Sequence, residues 1–446
     1  MSITRRRALL GAALSITLLA AGCGGSDEPG AATATAGASE ADVKAALEAG
    51  GELTVWAWDS TIEPVAAEFM KKYPGVKVKV VNAGTNKDEY LALQNAVQAG
   101  SGVPDVVQLE YYALPQFVLS KTAADLTAFG AGSLESAFTP GTWNAVRSGG
   151  KGVYGLPIDS GPMALFYNKE VFDKHGIAIP KTWEEYAAAA EKLHQADPKA
   201  YITADAGEAG FTTSLIWQAG GKPYTVNGTD VTVNLADAGS QRFTGVWQGM
   251  LDKKLLSPVV SWTDEWFKGL SDGTIASLVI GAWMPSNLES GAAAAKGKWR
   301  VAPMPQWESG GKAAAENGGS SLAITEAGTK KALAYGFLKY IAVDEGAQSR
   351  VDKGAFPATT KELNAAAFKG KEFPYFGGQK VNEVLAESAA QVVPGWNYLP
   401  FQVYANSIYG DTVGKAYLGQ GNLTDGLKAW QDASVKYGQE QGFTVK

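Results

Sequence analysis

Three short apolar or β-branched runs, Leu53–Trp58, Val76–Val81 and Asp105–Leu109, alternate with two stretches of helical spacing, near 62–73 and 87–99. Strand, helix, strand, helix, strand commits a chain to a parallel sheet, because parallel neighbours need a crossover and cannot be joined by a tight hairpin. Pro74-Gly75 closes the first helix, and Gly100 to Pro104 leads from the second into its strand. The apolar run at Leu53–Trp58 predicts a strand buried on both faces, and the Val-Lys alternation at Val76–Val81 predicts a half-buried one. Ahead of them Ser39 is placed to cap a short helix with Asp42 in its first turn, stopped by Gly50-Gly51. A sheet of this kind binds its ligands at the carboxyl ends of its strands. Those ends carry Trp58-Asp59 and Glu110-Tyr111-Tyr112.

At the amino terminus Arg5-Arg6-Arg7, an apolar stretch from Ala8 to Leu19 and the small residues before Cys23 make a secretory signal. Leu18-Leu19-Ala20-Ala21-Gly22-Cys23 resembles the lipobox of bacterial lipoproteins, in which the thiol is acylated and becomes the first residue. It departs from the usual pattern at Ala20, where a branched apolar residue is commoner. The other reading of Cys23, a buried small hydrophobe, fits poorly before Gly24-Gly25-Ser26-Asp27. Arg5-Arg6-Arg7-Ala8-Leu9-Leu10 is also similar to a twin-arginine export signal, while ordinary charge in a Sec signal accounts for it equally well. The expected organisation is a signal peptide over 1–22 and a lipid-anchored flexible tether over 23–39, rich in Gly, Ala, Thr and Ser.

Losing the three signal arginines takes the formal net charge from −6 to −9, which excludes a nucleic-acid binder built on clustered cations. Cys23 is the only cysteine, so disulfides are excluded, and with two histidines, His175 and His194, a zinc site is not expected. No metal and no cofactor are predicted. Beyond the signal no apolar run is long enough to cross a bilayer. A chain with 46% apolar residues can fill two lobes of roughly 100 to 200 residues each. A monomer held to the outer face of the cytoplasmic membrane is expected.

Leu156-Pro157, a short polar crossing through Asp159-Ser160-Gly161-Pro162, an apolar strand ending in Tyr167-Asn168-Lys169, and Pro180-Lys181-Thr182-Trp183-Glu184-Glu185 follow in an order that resembles the maltose-binding-protein type of ABC-transporter solute-binding protein. Gly102-Val103-Pro104-Asp105-Val106, Gly281-Ala282-Trp283, Pro303-Met304-Pro305, Gly318-Gly319-Ser320-Ser321-Leu322-Ala323-Ile324, and Phe337-Leu338-Lys339-Tyr340 ahead of Gly354-Ala355-Phe356-Pro357 extend the likeness. Each motif is weak alone, and their order is specific. The resemblance implies an α/β, two-lobed periplasmic-binding-protein type II fold with a ligand cleft between lobes joined by a multi-strand hinge. Lobe 1 would hold 51–160 plus 321–366, and lobe 2 would hold 161–320 plus 367–446. Two such lobes close over a ligand. ABC permease subunits would be the membrane partner.

Two patterns suggest other chemistry. Gly269-Leu270-Ser271-Asp272-Gly273 matches a serine-hydrolase elbow, which needs a strand before it and a helix after it. Here Trp262 to Lys268 reads as helical, so the segment is a helix end running into a turn. Gly150-Lys151-Gly152-Val153-Tyr154-Gly155 has dinucleotide spacing but precedes the extended Leu156-Pro157-Ile158, and no helix opens there to meet a phosphate. His175 and His194 are expected at a helix end and on a charged helix face, and Glu184-Glu185 in the first turn of a helix capped by Thr182.

Thirteen tryptophans are harder to absorb into cores. A sugar has an apolar C–H face and a rim of hydroxyls, so its site needs flat rings with carboxylates or amides beside them. Trp283, after the strand Ala276–Gly281, matches by resemblance the ring that stacks on sugar. Glu208 and Phe211 stand where the resemblance implies that the second lobe offers a carboxylate and a ring, with Trp217 read as core. Glu110, Tyr111 and Tyr112 occupy the equivalent first-lobe strand end, and Trp58, Asp59, Asp159 and Ser160 join them by strand-end position. For each of these the alternative is a core aromatic or a capping acid. Trp262, Trp266, Trp396 and Tyr404 complete the candidates; Trp396, following Val393-Pro394-Gly395, is expected to face the cleft more than Trp262 does. Trp143, Trp183, Trp247 and Trp430 read as helix packing.

These features point to an extracellular carbohydrate-binding lipoprotein of an ABC importer that takes a di- or oligosaccharide without altering it. A β-linked glucoside or galactoside, such as cellobiose or lactose, is favoured. A secreted glycoside hydrolase is the reading from another class, and it requires two acids about 5 to 9.5 Å apart, a pair the sequence does not announce. A carrier of peptides, polyamines or metal complexes would call for compensating charges or metal ligands instead.

Overall fold

The computed structural model describes residues 39–147 and 152–446. The signal, Cys23, the tether up to residue 38 and Gly150-Lys151 lie outside the described residues. Strands β1 (Gly51–Trp56), β2 (Val76–Val81) and β3 (Val106–Glu110) are parallel and lie in the order β2-β1-β3. Ser320–Ile324 continues the sheet antiparallel to both β3 and β4 (Leu156–Pro157). The chain leaves β1 outward through helix Ile62–Lys72 to β2, then crosses back past β1 through helix Lys87–Ala99 to β3. That reversal opens a crevice between the carboxyl ends of β1 and β3.

Local chemistry sets the element ends. Ser39 and Asp42 form a capping box, the Ser39 N–H donating to the Asp42 carboxylate at 2.6 Å, and Gly50 ends the helix at φ +76. β1 corrects the sequence expectation in two ways. Only Leu53 and Val55 along it are buried, so it alternates where burial on both faces was expected. It also stops at Trp56, because the Trp58 and Asp59 N–H groups turn to the buried Gln108 side chain, donating to Oε1 at 3.1 and 3.0 Å.

A second sheet places β5 (Met163–Asn168) between the antiparallel strands Ser277–Gly281 and Trp299–Pro303. Every β5 residue is buried. Successive side chains of a strand point to opposite faces. Met163, Leu165 and Tyr167 accordingly enter one core with Trp183, Phe243, Trp247 and Trp430, while Ala164 and Phe166 enter another with Trp266, Leu288, Trp299 and Phe376. The first sheet has its own core, with Leu53, Val55, Val107, Leu109, Leu322, Ile324 and Phe337. The chain passes from that core to the others between Ile158 and Met163 and returns between Ala315 and Leu322. The result is a two-lobed α/β fold.

One helix start also differs from expectation. Helix Asp264–Asp272 begins after Trp262, capped by Thr263, whose hydroxyl accepts the Trp266 N–H at 3.2 Å, and Trp262 itself has φ +69. The helix ends at Gly273 with φ +86, so Ser271 lies in a helix end and not on an elbow.

Arg350 fastens helix Glu345–Asp352 to the turn after β1. Its guanidinium pairs with Asp59 at 2.5 Å, donates from Nε to Thr61 Oγ1 at 3.0 Å, and donates from Nη1 to the Ile158 carbonyl. Both partners are largely shielded, and removing one member of a buried pair leaves the other charge unpaired. Arg350→Ala should therefore lose about 3 to 5 kcal/mol in urea unfolding, and adding Asp59→Asn should recover part of the loss. An unchanged midpoint in Arg350→Ala would contradict this account.

Candidate functional site

Two crossing segments, Asp159–Gly161 and Glu316–Gly319, run side by side between the lobes, and acids from each hold the other. Asp159 Oδ1 accepts the Ser320 N–H, and the Ser320 hydroxyl at 3.1 Å. In return Glu316 accepts the Ser160 hydroxyl at 2.9 Å and the Gly161 N–H at 2.7 Å. The Asn317 N–H donates to the Gly161 carbonyl at 2.8 Å, and a Cβ at Gly161 would stand 2.2 Å from the Asn317 oxygen, which restricts the position to glycine. Tyr111 braces the same place, its hydroxyl donating to the Asp159 carbonyl at 2.6 Å.

The first lobe presents a polar cradle at the end of β3. Tyr90 donates its hydroxyl proton to Glu110 Oε2 at 3.0 Å and accepts the Glu110 N–H at 3.0 Å. Tyr112 lies beside Glu110, and the Asn86 carboxamide, with its nitrogen turned to the acid, donates to Oε1 at 3.1 Å. Asn86 holds φ +55 at the start of helix Lys87–Ala99. Trp58 and Tyr112 each set an edge against the Tyr90 ring, with centroids 6.2 Å apart in both pairs.

The second lobe brings Trp283. Its indole N–H donates to the Asn317 carbonyl at 2.8 Å, which fixes a half-buried ring beside the crossing segments. Gly318, at φ +74, lies between the two walls: a Cβ there would be 3.2 Å from Trp283 Nε1 and 3.9 Å from Glu110 Oε1. A ring from one lobe and an acid from the other thus border one gap. Glu208 is exposed just before helix Ala209–Gln218, and a Cβ at Gly210 in that helix would lie 3.8 Å from the Asn317 amide nitrogen. Trp396 stacks on Trp217 at 5.1 Å with an 8° interplanar angle and meets the edge of Tyr398 at 6.1 Å.

Several candidates are engaged elsewhere. Asp59 is committed to Arg350 and Thr61 and offers no free carboxylate; burial pushes its pKa up, but Arg350 and the Thr61 hydrogen bonds outweigh this and hold it low. Tyr111 is buried as the strut on Asp159, and Ser160 is buried against Glu316. Phe211 packs on Trp247 at 5.3 Å. Tyr404 stacks on Tyr437 of helix Leu423–Glu440 at 3.6 Å, and Trp266 is fully buried. Trp262, ranked behind Trp396 from the sequence, is half exposed and lies 5.5 Å from Trp283. Trp143, Trp183, Trp247 and Trp430 are buried, as expected.

Sequence reasoning missed Asn86, Tyr90, Glu316, Asn317 and Tyr398. The Gly318-Gly319 pair was the available signal for Glu316-Asn317, and the bracketing prolines Pro394 and Pro400 for Tyr398. His194 places Nδ1 3.1 Å from the Ala200 carbonyl and its ring on Tyr201, far from hydrolase geometry with Ser271 in its helix end. Among the described residues no group of His, Cys, Asp and Glu could hold a metal ion, and no helix is long and apolar enough to cross a membrane.

With this geometry the similarities are informative. Residues 57–348 match the family model of bacterial extracellular solute-binding proteins, and the chain belongs to that family. It is 50% identical to the ABC transporter associated binding protein from B. animalis subsp. lactis Bl-04, solved in complex with beta-1,6-galactobiose, over 89% of this chain and 99% of that one, with a TM-score of 0.81. The galacto-N-biose-/lacto-N-biose I-binding protein from Bifidobacterium longum, solved with lacto-N-biose, is 26% identical over 89% of this chain and 99% of that one, with a TM-score of 0.79. The lactose-binding protein of Rhizobium radiobacter is 25% identical over 78% of this chain and 84% of its own length. The fold is that of a type II, maltose-binding-protein-like ABC solute-binding protein, and sugar binding is the shared activity of these relatives.

The buried acids make stability depend on pH. Burial, the leading cause each time, pushes Glu110 and Glu316 up to about 7, Asp159 and Asp205 to about 6, and Glu89, whose carboxyl oxygens lack hydrogen-bond partners, to about 8. Each group holds its proton more tightly folded than unfolded, so its contribution is complete below the unfolded value near 4 and is lost as pH rises through the folded one. Asp59, shifted downward, stays charged in this window and does not offset the trend. Tm should fall between pH 5 and pH 8, and Glu316→Gln should flatten the slope. A Tm that rises over that interval would refute the assignment.

Proposed function

We propose that this protein captures a β-linked galactoside, a disaccharide or short oligosaccharide, at the outer face of the cytoplasmic membrane and delivers it unaltered to an ABC permease, tethered through acylated Cys23. The carrying observation is Gly318, whose absent side chain leaves one gap bordered by the Trp283 indole and the Glu110 carboxyl. An indole face suits the C–H face of galactose, and Glu110 with Tyr112 and Asn86 suits its hydroxyl rim. Because the ligand touches both lobes, it favours their closed arrangement by differential affinity. The relative at 50% identity bound to beta-1,6-galactobiose supports the galactoside, as does the lactose-binding relative.

Carriage without reaction is supported by what the acids already do. Asp159 and Glu316 accept main-chain N–H groups of the crossing segments and Asp59 is paired with Arg350, so these three acids are committed to structure and not to the acid pair that glycoside hydrolysis demands.

Saturating β-1,6-galactobiose should raise Tm, since ligand at 100 times Kd adds about 2.7 kcal/mol to stability. Trp283→Ala should weaken binding by about 2 kcal/mol or more, roughly 30-fold in Kd by calorimetry. Chromatography after prolonged incubation should return the sugar intact. Multiple turnovers would replace the carrier by an enzyme, and an unaffected Kd in Trp283→Ala would move the site.

A further inference from the structure

The aromatic wall does not stop at Trp283. Trp262 lies with its ring centroid 5.5 Å away and its plane tilted by 34°, and it also meets Trp266 at 5.2 Å and Phe267 at 6.2 Å. Trp266 is fully covered, whereas Trp262 keeps 48% of its surface in solvent. Its backbone sits at φ +69, in the left-handed region that bulky side chains avoid. The loop is held there from both sides: the Thr263 hydroxyl donates to the Val260 carbonyl at 2.8 Å and accepts the Trp266 N–H at 3.2 Å. A strained backbone that keeps an indole half in water is the pattern of a ligand-facing position.

A buttress for Trp283 would look different. Trp283 is already fixed by its hydrogen bond to the Asn317 carbonyl, and its own carbonyl accepts from the Asn287 amide at 3.0 Å. A supporting ring would also be covered, as Trp266 is. Trp283 is half-buried and Trp262 half exposed, and the 34° tilt between them turns their faces in different directions, which suits two linked sugar units turned relative to each other about their glycosidic bond.

We propose that Trp262 is an outer stacking platform for the sugar unit next to the one held at Trp283, and that it sets the preference for oligosaccharide length. The proposal rests on the reading of Trp283 as the sugar-stacking ring and adds a subsite to it.

Calorimetry with di- and trisaccharides of the β-1,6-galactoside series, and in parallel of the cello- and malto- series, tests it. Trp262→Gly removes the ring while accepting the left-handed backbone, and Trp262→Phe keeps an aromatic face. The wild type should bind the trisaccharide roughly 3- to 10-fold tighter than the disaccharide, the range expected for one added aromatic contact. In Trp262→Gly that gain should vanish with the disaccharide Kd unchanged within about twofold, and Trp262→Phe should keep most of it. Equal weakening of both ligands would make Trp262 a support for Trp283 and overturn the proposal. So would a length gain that survives Trp262→Gly, or its absence in the wild type. If galactosides fail while another series binds with a gain that needs Trp262, the galactoside assignment falls and the platform stands. If no series binds the wild type, both fall.

Discussion

The molecule depends on a reciprocal exchange of hydrogen bonds between its two crossing segments. Asp159 reaches across to Ser320 while Glu316 reaches back to Ser160 and Gly161, so each segment supplies the acceptor for the other's donors. The crossing segments share only a short stretch of main-chain pairing, around the Asn317 N–H on the Gly161 carbonyl, and their other buried main-chain N–H groups need acceptors from side chains. Carboxylates answer that need with strong acceptors. Because the same segments also carry Asn317 and Gly318, the spacing between Trp283 and Glu110 is tied to the connection between lobes. Arg350 extends the arrangement by tying Ile158, just before the crossing, to Asp59 and Thr61.

The electrostatic character of the gap follows from this. Asp159 raises both Glu110 and Glu316, after burial has done most of the lifting. Arg350 lies close enough to lower Asp159, but its nearest carboxylate partner is Asp59. An uncharged, hydroxyl-rich ligand suits such a place better than an anion does. A protonated carboxyl can donate as well as accept, so a group such as Glu110 can pair with a hydroxyl in either sense.

Much of the architecture was legible in the sequence because it rests on local rules. Alternating runs gave the parallel strands, Thr182 and Ser39 their caps, and the apolar Met163–Tyr167 its buried strand. Trp283 stood out through its motif and its place after a strand. Asp59, Tyr111, Ser160 and Tyr404 looked equally eligible because their partners are distant: Arg350 comes 291 residues after Asp59 and Glu316 comes 156 after Ser160. Trp262 was among the candidates but ranked behind Trp396 and read as helical, since residue type does not disclose the sign of φ. Tyr90 read as an ordinary helical core residue, although its hydroxyl organises Glu110.

The strand β5 carries a consequence of a different sort. With one set of its side chains in one core and the alternate set in another, no position along Met163–Tyr167 faces solvent, and a change of volume at any of them is felt in a packed core on one side or the other. Room for altered contacts is left to the segments that leave the strand ends, the Asp159–Gly161 crossing among them. The central strand acts as a fixed keel, while the loops at its tips remain free to drift toward new ligands.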